Sequence, residues 1–191
     1  MRIGNRELPG IGKVVWQDQI EYFVGQPLAL RAFRGHACRL EVGEYAGDPN
    51  RDQLERTLTS FVVSPRDLLS DAEPYVYAYY QDCHDLWVEQ GDEPLAIARA
   101  DIWQHVWLGD VVTVGRRPDD DGGVYFSIAG GCAWEREHGL QLVFKDGEHV
   151  CKVGPFDSHF TNADAYDDPA YEDVVYRARA TLPRLRRRDF R

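Results

Sequence analysis

Leu140–Val153 reads LQLVFKDGEHVCKV, and its centre decides the fold. Two apolar runs, Leu140–Phe144 and His149–Val153, meet at Asp146-Gly147, a dipeptide suited to the left-handed φ values of a two-residue hairpin. Strands joined this way pair antiparallel. The device recurs upstream, where Leu28–Phe33 and His36–Tyr45 flank Arg34-Gly35. Within the second of these runs Cys38, Leu40 and Val42 alternate with Arg39 and Glu41, the period of a half-buried strand. Ile11–Trp16 and Ile20–Val24 add two short strands around a polar turn. Val111–Val114 and Val124–Ala129 add two more, with Asp119-Asp120-Asp121-Gly122-Gly123 between them.

Helical signals fall between and after these runs. Asp48-Pro49 offers an N-cap oxygen followed by a proline at the first helical position. Leu54, Leu58, Phe61 and Val62 then form one apolar stripe, which ends at Ser64-Pro65. A second helix is predicted over Glu73–Gln90, with Val76, Tyr79, Tyr80, Cys83 and Trp87 on one face and Gly91 as its stop. Its four tyrosines and one tryptophan read as core with polar tips at the rim. Pro94–Trp107 supports either a short helix or a strand. Asp168-Pro169 repeats the capping device, predicting a last helix that turns Tyr171, Val174, Val175 and Ala178 inward.

The order is four strands, two or three helices, four strands and one helix. Segregated runs with hairpin turns imply an α+β fold, with antiparallel sheet and three to four helices. No repeat or Ser/Gly linker interrupts the chain, so a single domain is expected over residues 1–180, followed by an arginine-rich tail over 181–191.

The 191 residues include 22 basic and 32 acidic groups. Arginines 177, 179, 184, 186, 187, 188 and 191 stand against one acid, Asp189, at the C-terminal end. The preceding chain therefore carries 15 basic and 31 acidic groups, a net charge of −16. So negative a body repels phosphate backbones and argues against nucleic acid as partner; a basic protein suits it better. The arginine tail reads as a solvated terminus. Cys38, Cys83, Cys132 and Cys151 show no CxxC spacing, and no apolar segment approaches the length of a membrane span. With no apolar stretch near Met1, a cytoplasmic location with reduced thiols is expected.

The most unusual stretch is Cys132-Ala133-Trp134-Glu135-Arg136-Glu137-His138-Gly139-Leu140, followed by Gly147 and then Lys152-Val153-Gly154-Pro155-Phe156-Asp157-Ser158-His159-Phe160-Thr161-Asn162. The pattern W-[ED]-x-E-H-G-L, a D-G hairpin and V-G-P-[FY]-D-x-H-x-T-N resembles an uncharacterised bacterial family defined only as a domain of unknown function. Some members of that family are grouped with small cytoplasmic proteins such as toxin-immunity modules. The resemblance covers Val124–Tyr166 and implies no particular activity. The family commonly shows glycine where Ser158 stands, and the serine counts against a left-handed turn there.

Two chemistries compete for this stretch. Glu135, Glu137 and His138 are expected in the turn between two strands, where a carboxylate and an imidazole can share a proton. Glu137 and His138 with Asp157 and His159 would make an acid–base or metal-assisted hydrolase, provided that these four side chains converge on one cleft. The competing reading is architectural: Trp134 anchors the corner, Glu137 and His138 satisfy backbone groups, and Gly139 supplies a positive φ. For metal, His149 and Cys151 lie two apart on one strand, and Asp157, Asn162, Asp164 and Asp167 crowd one loop. Neither set matches a zinc or EF-hand spacing, so no metal and no cofactor is expected. No G-x-S-x-G and no phosphate loop is present, and Cys83-His84 are adjacent on a helix and point apart. The expected function is therefore a non-catalytic binding protein of immunity type, whose acidic surface meets a basic partner. Pairing of two copies through exposed aromatics is the further possibility.

Overall fold

The computed structural model describes residues 5–117, 122–178 and 185–186. The fold is α+β: a mostly antiparallel sheet accompanied by helices. The strands are β1 (Arg6–Leu8), β2 (Gly12–Gln17), β3 (Tyr22–Val24), β4 (Leu28–Leu30), β5 (His36–Gly43), β6 (Val106–Gly115), β7 (Tyr125–Cys132), β8 (Glu135–Lys145) and β9 (His149–Gly154). Their order is β1-β2-β3-β5-β6-β7-β8-β9, with β4 paired to β5. A separate ribbon joins β10 (Val174–Tyr176) and β11 (Leu185–Arg186). The α-helices are α1 (Arg51–Val63), α2 (Leu68–Gln90) and α3 (Asn162–Tyr166).

Both predicted dipeptides take left-handed φ values, but only Asp146-Gly147 forms the tight turn expected. Arg31–Phe33, predicted as the end of a strand, is a 3-10 turn, and the loop from β4 to β5 closes with the Gly35 N–H on the Leu30 carbonyl at 2.9 Å. Arg34 and Gly35 have φ of 56° and 83°, and Asp146 and Gly147 have 55° and 67°. Asp146 adds a side-chain bond, its Oδ1 accepting from the Val124 N–H at 2.9 Å. One pair departs from the antiparallel rule. β5 and β6 run parallel, with Arg39 opposite Val111 and Val42 opposite Val114. The chain between them passes through α1 and α2, a connection long enough for the crossover that parallel strands require.

The chain forms two compact units. One comprises Met1–Leu69, Asp110–Ile128 and Phe144–His149; the other comprises Ser70–Gly109, Ala129–Val143 and Val150–Arg191. The first has an aromatic core, in which Phe61 of α1 stacks on Phe126 at 4.2 Å and meets Phe33 edge-on at 5.8 Å. Leu54, Leu58 and Phe61 are buried as the stripe predicts, while Val62 is half-buried. In the second unit Trp134 is 1% exposed and meets Tyr79 and Tyr80 of α2 edge-on at 6.0 and 5.8 Å.

Several boundaries move. The cap of α1 is Asn50, whose side chain accepts from the Gln53 N–H, and Asp48 is instead drawn to Arg116. The second helix begins at Leu68, ahead of the predicted Glu73, and carries Pro74 within it. Asp67 Oδ1 accepts the Leu69 N–H and so opens that extra turn. Pro94–Trp107 resolves into a 3-10 helix, Arg99–His105, before β6 begins. Glu135, Glu137 and His138 do not form a turn: the corner is Ala133-Trp134, and these residues open β8. Asp168 does cap as predicted, with Pro169 at the first position, but only the 3-10 turn Pro169–Tyr171 follows. Val174 and Val175 enter β10 instead of a helix, in keeping with the preference of β-branched side chains for strands. The polar turn at 119–121 and most of the arginine tail lie outside the described residues. No helix among the described residues is long and apolar enough to cross a membrane.

Candidate functional site

The second unit contains a cavity of about 500 Å³. Tyr79, Asp82, Cys83 and Leu86 reach it from α2, and Glu135 and His138 from the start of β8. Pro155, Phe156, Asp157 and His159 come from the loop after β9, and Ala165, Tyr166, Tyr176 and Arg177 complete it. Of the four side chains predicted to share a cleft, His138, Asp157 and His159 line this cavity. Glu137 is exposed and stands outside it, and Glu135 occupies the corresponding place.

The backbone explains why these groups meet. Gly139 has φ of 65°, and a Cβ there would fall 2.3 Å from the Gly130 carbonyl oxygen, so glycine is required where β8 bends. The His138 carbonyl accepts the Phe156 N–H at 3.2 Å, which ties the loop after β9 to this bend. Ser158 has φ of 71°. A left-handed turn is thus formed here with serine, against the expectation that its Cβ would disfavour one.

The Glu135 carboxylate is heavily engaged. Oε1 accepts the N–H groups of Glu137 at 2.7 Å and His138 at 3.4 Å, while Oε2 lies 2.8 Å from His138 Nδ1. Partial burial pushes its pKa up, but the Glu137 and His138 N–H groups and the His138 ring together outweigh that and hold it below the usual value. Asp157 Oδ1 accepts from Lys152 Nζ and from the His159 N–H at 3.0 Å, and lies 3.5 Å from His159 Nδ1. Lys152 itself is 1% exposed. It also donates to the His159 carbonyl at 3.2 Å, and burial lowers its pKa against the opposing pull of Asp157. Gln141, equally buried, donates to the same carbonyl at 3.2 Å and accepts the Asp157 N–H at 3.3 Å. On α2, Asp82 accepts the Tyr176 hydroxyl at 2.8 Å. Burial first, and then Asp82, push the Tyr176 pKa upward.

Sequence reasoning missed Lys152 and Gln141. Lys152 alternates with apolar neighbours on β9 and reads as outward-facing. Its one local signal is Asp157, five residues on, at the end of the V-G-P-F-D run.

The metal candidates are scattered. His149 is exposed, whereas Cys151 is buried with its thiol 3.4 Å from the Val143 carbonyl and 3.6 Å from that of Phe160. Asp164 lies in the first turn of α3, and Asp167 takes the left-handed position at its end. Among the described residues no three His, Cys, Asp or Glu side chains are grouped to hold a metal ion. A second cavity of about 460 Å³, in the first unit, is lined by Pro9, Asp52, Glu55, Arg56, Thr59 and Ser60 and holds none of the predicted site residues.

These features define an α+β protein with an open, aromatic-walled cavity braced from behind by buried polar groups. The chain belongs to the domain-of-unknown-function family DUF6985, whose model matches residues 10–160. No curated protein and no solved structure matches it.

Proposed function

We propose that the protein is a non-catalytic binding protein that recognises a basic polypeptide, with the cavity of the second unit as its recognition site. One observation carries this reading. Both oxygens of Glu135 are spent within the chain, on two N–H groups and the His138 imidazole, so that this carboxylate holds the cavity wall in place. The carboxylates beside it likewise fasten main chain and neighbouring side chains, so that they shape the cavity. Phe156 and Tyr166 stand at its edge, 44% and 46% exposed, the kind of aromatic surface that partners bury. The acidic composition favours capture of a basic partner, and the absence of a disulfide among the four cysteines fits action in a reducing cytoplasm, as an immunity-type module would require.

Calorimetric titration with poly-L-arginine tests the reading. Affinity is expected to fall at least about tenfold between low and high salt, and to weaken again in the Phe156→Ala/Tyr166→Ala variant. Association indifferent to both salt and the double variant contradicts it.

A second reading, acid–base chemistry at His138, draws on one geometric fact: Glu135 engages Nδ1 and leaves Nε2 for a ligand. Hydrolysis of ester or amide probes that disappears in His138→Gln would favour it over binding alone.

A further inference from the structure

We infer that the cavity of the second unit receives a cationic side chain, an arginine or lysine of the partner, with Asp157 as its anchor and Arg177 as the chain's own competitor. This rests on the binding reading above and specifies its ligand. Three carboxylates line the cavity, but they are not equivalent. Both oxygens of Glu135 are engaged, and Asp82 is engaged by Tyr176. Asp157 makes its contacts to Lys152, the His159 N–H and the His159 ring through Oδ1 alone. Oδ2 is left for a ligand, on a side chain that is 33% exposed.

The cation nearest Asp157 does not compete for that oxygen. The Lys152 side chain is 2% exposed and is directed to Oδ1 and to the His159 carbonyl, so an incoming charge meets the carboxylate, not the ammonium. The aromatic edge points to the same ligand class. The Arg177 guanidinium lies 4.3 Å from the Tyr166 ring centroid and 5.4 Å from that of Tyr171, inside cation–π range. The edge of the cavity thus already holds one guanidinium, tethered by its own chain. A second cation entering between Phe156 and Asp157 gains an aromatic face and a charge-assisted hydrogen bond together. Among the described lining residues an anion would meet the carboxylates of Asp82, Glu135 and Asp157 against the single guanidinium of Arg177.

The test is amide-resolved NMR of the full chain at low salt. The probes are N-acetyl-arginine amide, N-acetyl-aspartate amide and N-acetyl-norleucine amide. The arginine probe alone is expected to shift Phe156, Asp157 and Tyr166 saturably. Asp157→Asn should weaken it at least about tenfold. Arg177→Ala should tighten it about threefold by releasing the Tyr166 face. Because Asp157→Asn also disturbs Lys152, Phe156→Ala, at an exposed position, serves as the fold-neutral variant and should weaken binding about threefold. Saturable binding of the aspartate or norleucine probe in place of arginine overturns the cationic ligand while leaving the recognition site standing. Silence from all three probes at the cavity overturns both, and weaker arginine binding in Arg177→Ala overturns the competitor role of Arg177.

Discussion

Each unit contains a cation held close to an aspartate, and the two are finished differently. In the first unit Arg116 bonds both oxygens of Asp48, at 2.6 and 3.1 Å. It also donates to the carbonyls of Asn50, Gly122 and Gly123 and to the Gln53 side chain. The two side chains are 9% and 4% exposed. In the second unit Lys152 is buried as deeply, but its aspartate is a third exposed and bonds through one oxygen. A pair whose hydrogen-bonding capacity is spent internally fastens a loop to a helix start. A pair with one oxygen left at a cavity wall has capacity for something else. The contrast separates a structural clamp from a recognition anchor.

Breaking the clamp gives the largest effect. Arg116→Ala strands Asp48 away from water and is expected to lower stability by about 3–5 kcal/mol in urea unfolding. Lys152→Met should lower it by only about 1–2 kcal/mol, because Asp157 can turn its carboxylate to solvent and the methionine fills the same space. Equal losses would contradict the difference between clamp and anchor.

Acid acts on the two units through their depressed carboxyls. Burial pushes the Asp48 carboxyl up, but the Arg116 hydrogen bonds and the Asn50 N–H together bring it below its ordinary value of 3.8. A depressed carboxyl stabilises the fold fully above that ordinary value, and the contribution is lost as pH falls through the lower folded-state value. Glu135 follows the same sign from an ordinary value of 4.5. Asp48→Asn and Glu135→Gln should therefore each be less stable than the parent near neutrality and converge with it in strong acid. Thermal unfolding at stepped pH reads this directly, and a constant difference at every pH would contradict the assigned hydrogen bonds.

The smallest effect is at Ser158. Its φ of 71° is strained for a residue with a Cβ, so Ser158→Gly should raise stability by about 0.5–1 kcal/mol without altering arginine binding. Loss of stability would mean that the serine hydroxyl contributes more than the backbone costs.

The two hairpins were legible because Arg34-Gly35 and Asp146-Gly147 carry their own backbone requirement, and Gly139 was legible for the same reason. The stripe of α1 and the Asp168 cap were local too. What escaped reading was long-range or ambiguous. Nothing near Asp48 announces Arg116, and the oxygen that looked like a helix cap was taken by that arginine. Val174 and Val175 fit either a helix face or a strand, and the pairing with Leu185–Arg186 that decides for the strand lies further along the chain. At the site, His138, Asp157 and His159 were recognisable by type. That His138 pairs with Glu135 and not with Glu137 follows from where the corner falls, a shift of two residues that reverses which carboxylate faces the imidazole.

Recognition turns on Asp157 more than on any other group. Carboxyl-carbon NMR, with the Asp48 and Asp157 signals assigned, can follow both aspartates while N-acetyl-arginine amide is added. A saturable displacement of the Asp157 signal with Asp48 stationary is the predicted result. Two stationary signals, or two that move alike, would contradict it.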